Sequence, residues 1–268
     1  MLGGQIKYEN RHHTDGVIAG LKDALNEWSD EKFNHYVSRF YNTYWQAASV
    51  QDLVRNALMI DMADKYEDNF TVNIHIDEFQ DISELSVYAD DHPGLFSRLT
   101  GAIALSGASI QDARIFTTKD GMALDTFRIQ DADGQVFKDK AKLEKLEQNI
   151  RDTLAGKLLP RKVFDRRRIK KTRTDIFKVE PRVLIDNKAS NSRTVIEING
   201  RDRIGYLFDL SQVLVDLKIS ISSAHIATYG ERAITVFFVR DLFGHKITNE
   251  KKLDQIEEEL MNVLKAEE

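Results

Sequence analysis

An internal repeat with a period of about 110 residues is the feature that most limits how this chain can fold. The segments that begin at Glu84 and at Val195 carry apolar residues in the same register. Aligned pairs include Leu85 with Ile196, Val87 with Ile198, Asp91 with Asp202, Gly94 with Gly205, Leu99 with Leu210, Ala113 with Ala224 and Phe127 with Phe237. A register that continues through several elements over so long a period indicates a duplicated domain rather than a solenoid.

Both copies show the same predicted order of elements. An alternating strand ends at Asp-x-x-Gly, and a helix, two strands joined by a tight turn and a second helix follow. This order predicts an α+β fold with two tandem ferredoxin-like βαββα(β) domains, in which helices cover one face of an antiparallel sheet. Residues 177–186 are a candidate fourth strand for the first sheet, and residues 70–76 are a candidate for the second.

A helical segment is predicted before the repeat. Apolar and aromatic residues at helical spacing indicate one helix over residues 16–28, a second from an N-cap at Ser29 to Trp45, and a third from about Ser49. The dense aromatic residues of this stretch predict a helical core or a domain interface. The predicted domains are therefore a helical linker region at 1–68, a first repeat domain with its following strand at 69–187, and a second at 188–268. The basic run at 161–173 is predicted to be an exposed linker.

Composition excludes several classes of protein. The chain has no cysteine, which rules out disulfides and thiolate metal sites and fits a reducing cytoplasmic setting. A split sheet also serves RNA recognition, but the net charge of −5 and the lack of evident stacking aromatics argue against a nucleic-acid partner. No apolar run approaches the roughly 20 residues that span a bilayer, so no membrane partner is expected. His12 and His13 lack further ligands at metal-binding spacing, so no metal site is predicted.

The two Asp-x-x-Gly turns are the candidate binding features. Each turn joins a strand to a helix, so main-chain N–H groups at the helix start lack partners inside the helix and can bind an anionic group. Glycine allows close approach to the backbone. Asp91 and Asp202 are expected either to cap the helix or to accept hydrogen bonds from an ammonium group. An α-amino acid carries both charges, and it is the ligand class that these turns suit.

Several segments resemble a known family. Residues 89–98 (ADDHPGLFSR) and 115–127 (IFTTKDGMALDTF) resemble an ACT domain, and more narrowly the first ACT domain of the bifunctional uridylyltransferase/uridylyl-removing enzymes that modify the nitrogen-signalling protein PII. Residues 181–187 (PRVLIDN) and 199–207 (NGRDRIGYL) resemble the segment that leads into the second ACT domain of those enzymes. Residues 36–45 resemble the linker between their hydrolase domain and the ACT pair.

The resemblance implies a function and a set of binding residues. It implies that the ACT pair senses glutamine and switches the enzyme between adding and removing UMP. The implied first site consists of Asp91, His92, Gly94, Leu95 and Phe96, and the implied second site of Asp202, Arg203, Gly205, Tyr206 and Leu207. Ile204 stands where the family usually has proline, so the second turn is expected to be looser.

The catalytic motifs of the family are not found in this sequence. It has no Gly-Ser turn followed by paired aspartates for magnesium and no HD metal site, so we expect no catalytic residue and no cofactor here. The magnesium-dependent catalytic domains are expected to precede Met1. PII would then be a partner through the full enzyme. The alternative is a stand-alone ACT repeat that binds an amino acid or associates with a second copy through its sheets.

Overall fold

A computed structural model describes residues 14–66, 70–168 and 179–265 of the chain. The predicted histidine pair at 12–13 lies outside these residues. The chain divides into two compact units. The first unit, which we call the helical unit, holds residues up to 73 together with 86–91 and 116–124. The second holds residues 74–85, 92–115 and 125 onward.

Short helices make up most of the helical unit. They are α1 (residues 14–24), α2 (Asp30–Ser38), α3 (Asn42–Trp45) and α4 (Val50–Tyr66). Ser29 caps α2 as predicted, because its hydroxyl accepts a hydrogen bond from the Lys32 amide at 3.2 Å. The single helix expected from Ser29 to Trp45 is wrong. It ends at Ser38, and the Arg39 carbonyl accepts a hydrogen bond from the Lys119 amide at 2.8 Å instead of continuing the helix.

An aromatic cluster forms the core of the helical unit, which confirms one of the two roles predicted for these residues. Its members are Phe33, Tyr36, Phe40, Tyr44 and Trp45, with Trp28 packed against them. Tyr88 and Leu124, which belong to strands of the first repeat, are buried in the same cluster. Part of the first sheet therefore contributes side chains to the helical core.

The repeat folds as two copies of one topology, which confirms the predicted fold class. The first copy consists of β1 (Phe70–Asp77), β2 (Ile82–Asp90), α5 (Leu95–Leu105), β3 (Ser109–Thr117), β4 (Met122–Gln130) and α6 (Lys140–Leu154). After α7 (Pro160–Arg168), the second copy consists of β5 (Arg182–Asp186), β6 (Thr194–Arg201), α8 (Tyr206–Asp216), β7 (Ile219–Tyr229), β8 (Arg232–Asp241) and α9 (Glu250–Lys265). The strand orders are β1-β2-β4-β3 and β5-β6-β8-β7.

The fourth strands belong to the opposite sheets from those predicted. Strand β5, within the predicted 177–186 segment, pairs antiparallel with β6 of the second sheet, from Arg182 opposite Asn199 to Asp186 opposite Val195. Strand β1 lies beside β2 in the first sheet. Strands β1 and β5 each pair with the next strand along the chain, which is β2 for the first and β6 for the second. Short connections keep the loop-closure entropy small, so local pairing is favoured over a return from a distant segment.

The two copies pack helix against helix within the second unit. Helix α5 contacts α6, α7 and α8. The hydroxyl oxygens of Thr100 on α5 and Ser211 on α8 lie 3.3 Å apart. A Cβ built on Gly101 would lie 2.6 Å from Cβ of Pro160 and 2.8 Å from Cδ2 of Phe208, so the backbones approach closely there.

The first part of the basic run is a helix rather than an exposed linker. Helix α7 is held by Phe164, whose ring stacks on Phe208 with centroids 5.1 Å apart, and by an ion pair between Arg161 and Asp216 at 2.9 Å. The last part of the run, at 169–173, lies outside the described residues. Within the described part of the chain, no helix combines the length and apolarity that a membrane crossing requires.

Candidate functional site

The two Asp-x-x-Gly turns have nearly the same backbone. Gly94 has φ 86° and ψ 1°, and Gly205 has φ 87° and ψ −3°. Both values lie in the left-handed region, which glycine enters without steric cost. Ile204 in place of proline leaves this geometry unchanged, and the looser second turn stays a prediction.

Each turn is anchored to the strand hairpin of its own copy. The Asp91 amide donates to the Gly121 carbonyl at 3.1 Å, and the Asp202 amide donates to the Glu231 carbonyl at 2.8 Å. Neither α5 nor α8 begins with a side-chain cap, so the predicted capping by the two aspartates does not occur. The amides of the first helical turn are therefore not taken up by a capping side chain.

The second turn borders a small cavity. All of the residues predicted for the second site, namely Asp202, Arg203, Gly205, Tyr206 and Leu207, line it. Its opposite wall comes from the first copy and consists of Thr100, Ala104, Ala108 and Ile110. The cavity measures about 20 Å³, which is room for about one water molecule.

Charged groups of both signs stand at this cavity. Burial raises the pKa of the Asp202 carboxyl above its usual value, although the Arg203 amide and the Arg203 charge oppose the shift. The Arg203 guanidinium forms an ion pair with Asp209 at 2.5 Å. A half-buried carboxylate and an arginine thus line the cavity at the start of α8, which suits a ligand that carries both an ammonium and a carboxylate group.

The residues predicted for the first site have different surroundings in the described part of the chain. Leu95 and Phe96 are buried, and the Phe96 ring packs on Phe127 with centroids 5.8 Å apart. His92 is half-buried, and its Nδ1 lies 3.2 Å from the neighbouring Pro93 carbonyl. The Asp91 carboxylate accepts a hydrogen bond from the Thr117 hydroxyl at 2.8 Å. The first turn thus lies at the predicted position in the chain, but the side chains around it differ from those around the second turn.

The difference between the two turns comes from the residues that face them. In the repeat alignment, Ala104 corresponds to Val215 and Ala108 to Ile219. The two alanines line the cavity at the second turn. At the first turn, the γ carbons of Val215 lie 3.7 and 3.8 Å from a Cβ built on Gly94. Val215 therefore stands against the first turn, whereas its counterpart Ala104 lines the cavity at the second turn.

Sequence reasoning missed the cavity wall that lies opposite the second turn. The missed residues of this wall are Thr100, Ala104, Ala108 and Ile110, and two lining residues of the second copy, Phe208 and Ile226, were missed as well. Part of this wall could have been identified by comparing the two copies outside the turns. Ala104 and Ala108 of the first copy correspond there to a valine and an isoleucine of the second. No group of three or more potential metal-ligating side chains occurs among the residues that the structure describes.

Comparisons with known families agree with the fold of the two copies. The ACT domain model matches residues 83–150, and the model of the ACR family N-terminal ACT domain matches residues 189–267. Similar relatives are the bifunctional uridylyltransferase/uridylyl-removing enzymes of Azospirillum brasilense, Gluconobacter oxydans and Zymomonas mobilis, at 45%, 43% and 41% identity over 98%, 90% and 97% of this chain. The chain spans only 29%, 25% and 27% of those proteins. It therefore belongs to the bifunctional uridylyltransferase/uridylyl-removing enzyme family, as a region that carries two ACT domains.

Proposed function

We propose that this chain is the glutamine-sensing region of a cytoplasmic PII uridylyltransferase/uridylyl-removing enzyme. Glutamine bound at the second turn would bias the attached catalytic domains between adding UMP to PII and removing it. The cavity beside Gly205 is the observation that carries this proposal, because it joins a helix start to two charged side chains. Membership of the enzyme family supports the link to PII.

The chemistry of the second turn suits an α-amino acid. The ammonium group would donate to the Asp202 carboxylate, whose burial is compensated when a cation approaches. The ligand carboxylate would accept from the amides at the start of α8, where the helix dipole favours negative charge. Its side chain would extend toward the wall formed by Thr100 and Ala104.

Binding requires the cavity to enlarge. A space of about 20 Å³ is far smaller than a whole amino acid. Phe164 of α7 lies over the turn, with ring carbons 3.4 and 3.5 Å from a Cβ built on Gly205. The described state therefore corresponds to a closed form, and a ligand that binds only the opened form would shift the population toward it.

Calorimetric titration of the full chain with glutamine tests the proposal, with glutamate and asparagine for comparison. We expect saturable binding of glutamine with one ligand per chain. A pair of reciprocal variants defines the site. Ala104→Val adds two methyl groups to the cavity wall and should weaken binding at least tenfold, whereas Val215→Ala changes the first turn and should leave the affinity within about threefold.

Thermal unfolding of each variant controls for loss of structure. Absence of binding at millimolar glutamine in a folded chain would contradict the proposed function. Equal loss of affinity in Ala104→Val and Val215→Ala would contradict the choice of the second turn.

A further inference from the structure

The hairpin between β3 and β4 has a different setting from its counterpart in the second copy. Residues 117–122, which we call the first hairpin, belong to the helical unit. The counterpart at 229–232 is exposed, and 67% of Tyr229 is accessible to solvent. Of the two hairpins, as far as the structure describes them, only the first belongs to the same compact unit as the helices.

Arg39 at the end of α2 holds the first hairpin. Its side chain is only 8% exposed, and it forms ion pairs of 2.8 Å with Asp64 of α4 through Nη1 and with Asp120 of the hairpin through Nε. Its Nη2 donates to the Tyr88 hydroxyl of β2. Burial disfavours the charge of Arg39, but Tyr88 and the two carboxylates outweigh that effect and raise its pKa. The planar guanidinium thus connects a helix, a strand and the hairpin, which a lysine at this position could not do with the same geometry.

Two hydrogen bonds from Lys119 to main-chain carbonyls connect the same hairpin to the end of α2. The Lys119 amide donates to the Arg39 carbonyl at 2.8 Å, and Nζ of Lys119 donates to the Ser38 carbonyl at 2.7 Å. The end of α2 is therefore bound to the hairpin by backbone as well as by charge.

The other side of the first hairpin holds the first Asp-x-x-Gly turn. Gly121 accepts from the Asp91 amide at 3.1 Å, and the Thr117 hydroxyl donates to the Asp91 carboxylate at 2.8 Å. Three residues beyond Asp91, Gly94 lies beside Val215 near the end of α8, and the start of α8 is the second turn. The second copy keeps the hydrogen bond between turn and hairpin. In contrast to the ion pairs of the buried Arg39 side chain, the ion pair at the second hairpin, between Arg201 and Glu231 at 3.2 Å, is exposed.

We propose that the two copies have separate roles, in which the second binds the effector and the first transmits its presence to the helical unit through the first hairpin and Arg39. This inference rests on the proposed function and adds the route by which binding is communicated. Movement of α8 on ligand binding would displace Val215 against Gly94, and the hairpin would carry the displacement from Asp91 to the end of α2. Such a coupling requires two arrangements of the hairpin contact, which both ends can favour or disfavour.

The tryptophan content provides a direct readout. The chain has two tryptophans, Trp28 and Trp45, and both lie in the helical unit. The Trp45 ring lies 4.9 Å from that of Tyr44, which meets Phe116 of β3 at 5.1 Å. Tryptophan emission therefore reports the helical core next to the first sheet, while the proposed ligand site contains no tryptophan.

Two carboxylates offer a matched pair of variants on the full chain. Asp120 and Asp64 lie at the same distance from Arg39 and are each 48% exposed. Asp120→Asn breaks the link from Arg39 to the hairpin, whereas Asp64→Asn breaks a link between two helices. We expect glutamine to change the tryptophan emission of the parent and of Asp64→Asn, and we expect the response to be lost in Asp120→Asn while calorimetric binding persists.

A double variant removes a further side-chain connection between the first hairpin and α2. Lys119→Ala combined with Asp120→Asn also removes the hydrogen bond donated by Nζ of Lys119. Its control combines Lys32→Gln with Asp64→Asn. Lys32 is chosen because it forms an ion pair with Asp61 between α2 and α4 at 2.6 Å. Binding without any emission change in the parent would overturn the route, as would equal responses from the hairpin variants and their helix controls. Absence of calorimetric binding would instead contradict the proposed function itself, and the route would fall with it.

Discussion

Gly101 lies on the face of α5 that meets α7 and α8, and it has no room for a side chain. A built Cβ comes within 3.0 Å of both Pro160 and Phe208. Neither neighbour is the end of a long flexible chain, so one of the helices would have to move. The packing of the two copies thus depends on the absence of one carbon atom.

Gly101→Ala should destabilise the chain by about 1–3 kcal/mol, because overpacking forces the helices apart. Gly20 provides the control. It lies in α1, has no neighbour closer than 3.5 Å to a built Cβ, and should gain about 0.4–1 kcal/mol as alanine from the reduced entropy of the unfolded chain. Urea unfolding followed by circular dichroism measures both changes. Similar midpoints for the two variants would show that the helices tolerate a methyl group at Gly101.

The sequence identified the turn residues but not the difference between the turns. Asp202 and Gly205 can be found from the Asp-x-x-Gly pattern, and their left-handed geometry follows from glycine. Whether space exists beside a turn is decided by Ala104 or Val215, which come from the opposite copy. The relative placement of the copies was not available from periodicity, so the two turns looked equivalent.

At the scale of elements, α7 lies against the second turn. Its Phe164 ring stacks on Phe208 and lies next to Gly205. Because the helix follows the first copy along the chain and contacts the start of α8, it occupies the approach to the second turn. Opening of the cavity is expected to involve displacement of this helix.

Phe164→Ala should increase the affinity for glutamine several-fold, because the closed form loses a stacked ring that the open form does not need. Calorimetry measures the change. Phe243→Ala is the matched control, since Phe243 is 85% exposed and makes no part of the cavity. A lower affinity in Phe164→Ala would mean that the ring supports the bound form rather than the closed one.

Local patterns predicted the elements better than their partners. The period-two alternation at 70–76 and the apolar run within 177–186 both correspond to strands. Their sheets were exchanged because alternation shows which face of a strand is apolar but not which neighbour it pairs with. Similarly, helical spacing continued through Arg39, where tertiary hydrogen bonding from Lys119 ends the helix.

At the scale of the whole molecule, the outer face of the second sheet carries unshielded apolar side chains. Leu184 is 43% exposed, and Ile234, Val236 and Phe238 on β8 are half-buried while the alternate residues are buried. In the first copy, Leu124, which aligns with Ile234, is buried in the aromatic core. An apolar face of this kind favours association with a second copy.

Sedimentation at several concentrations should therefore show self-association that Leu184→Glu weakens at least tenfold, because the charge would be buried at the contact. Leu159→Glu is the control, since Leu159 is 45% exposed and lies before α7 rather than on the sheet. A monomer at every concentration, or equal effects of both variants, would contradict association through this face.

The hydroxyl pair between α5 and α8 affects how the copies can move. Thr100 also donates to the Ser97 carbonyl at 3.0 Å, and Ser211 donates to the Phe208 carbonyl at 2.9 Å. Each hydroxyl thus keeps a partner in its own helix when the two separate, so a shift leaves no buried donor unsatisfied. The hydroxyl pair consequently adds little resistance to a small translation of one helix along the other.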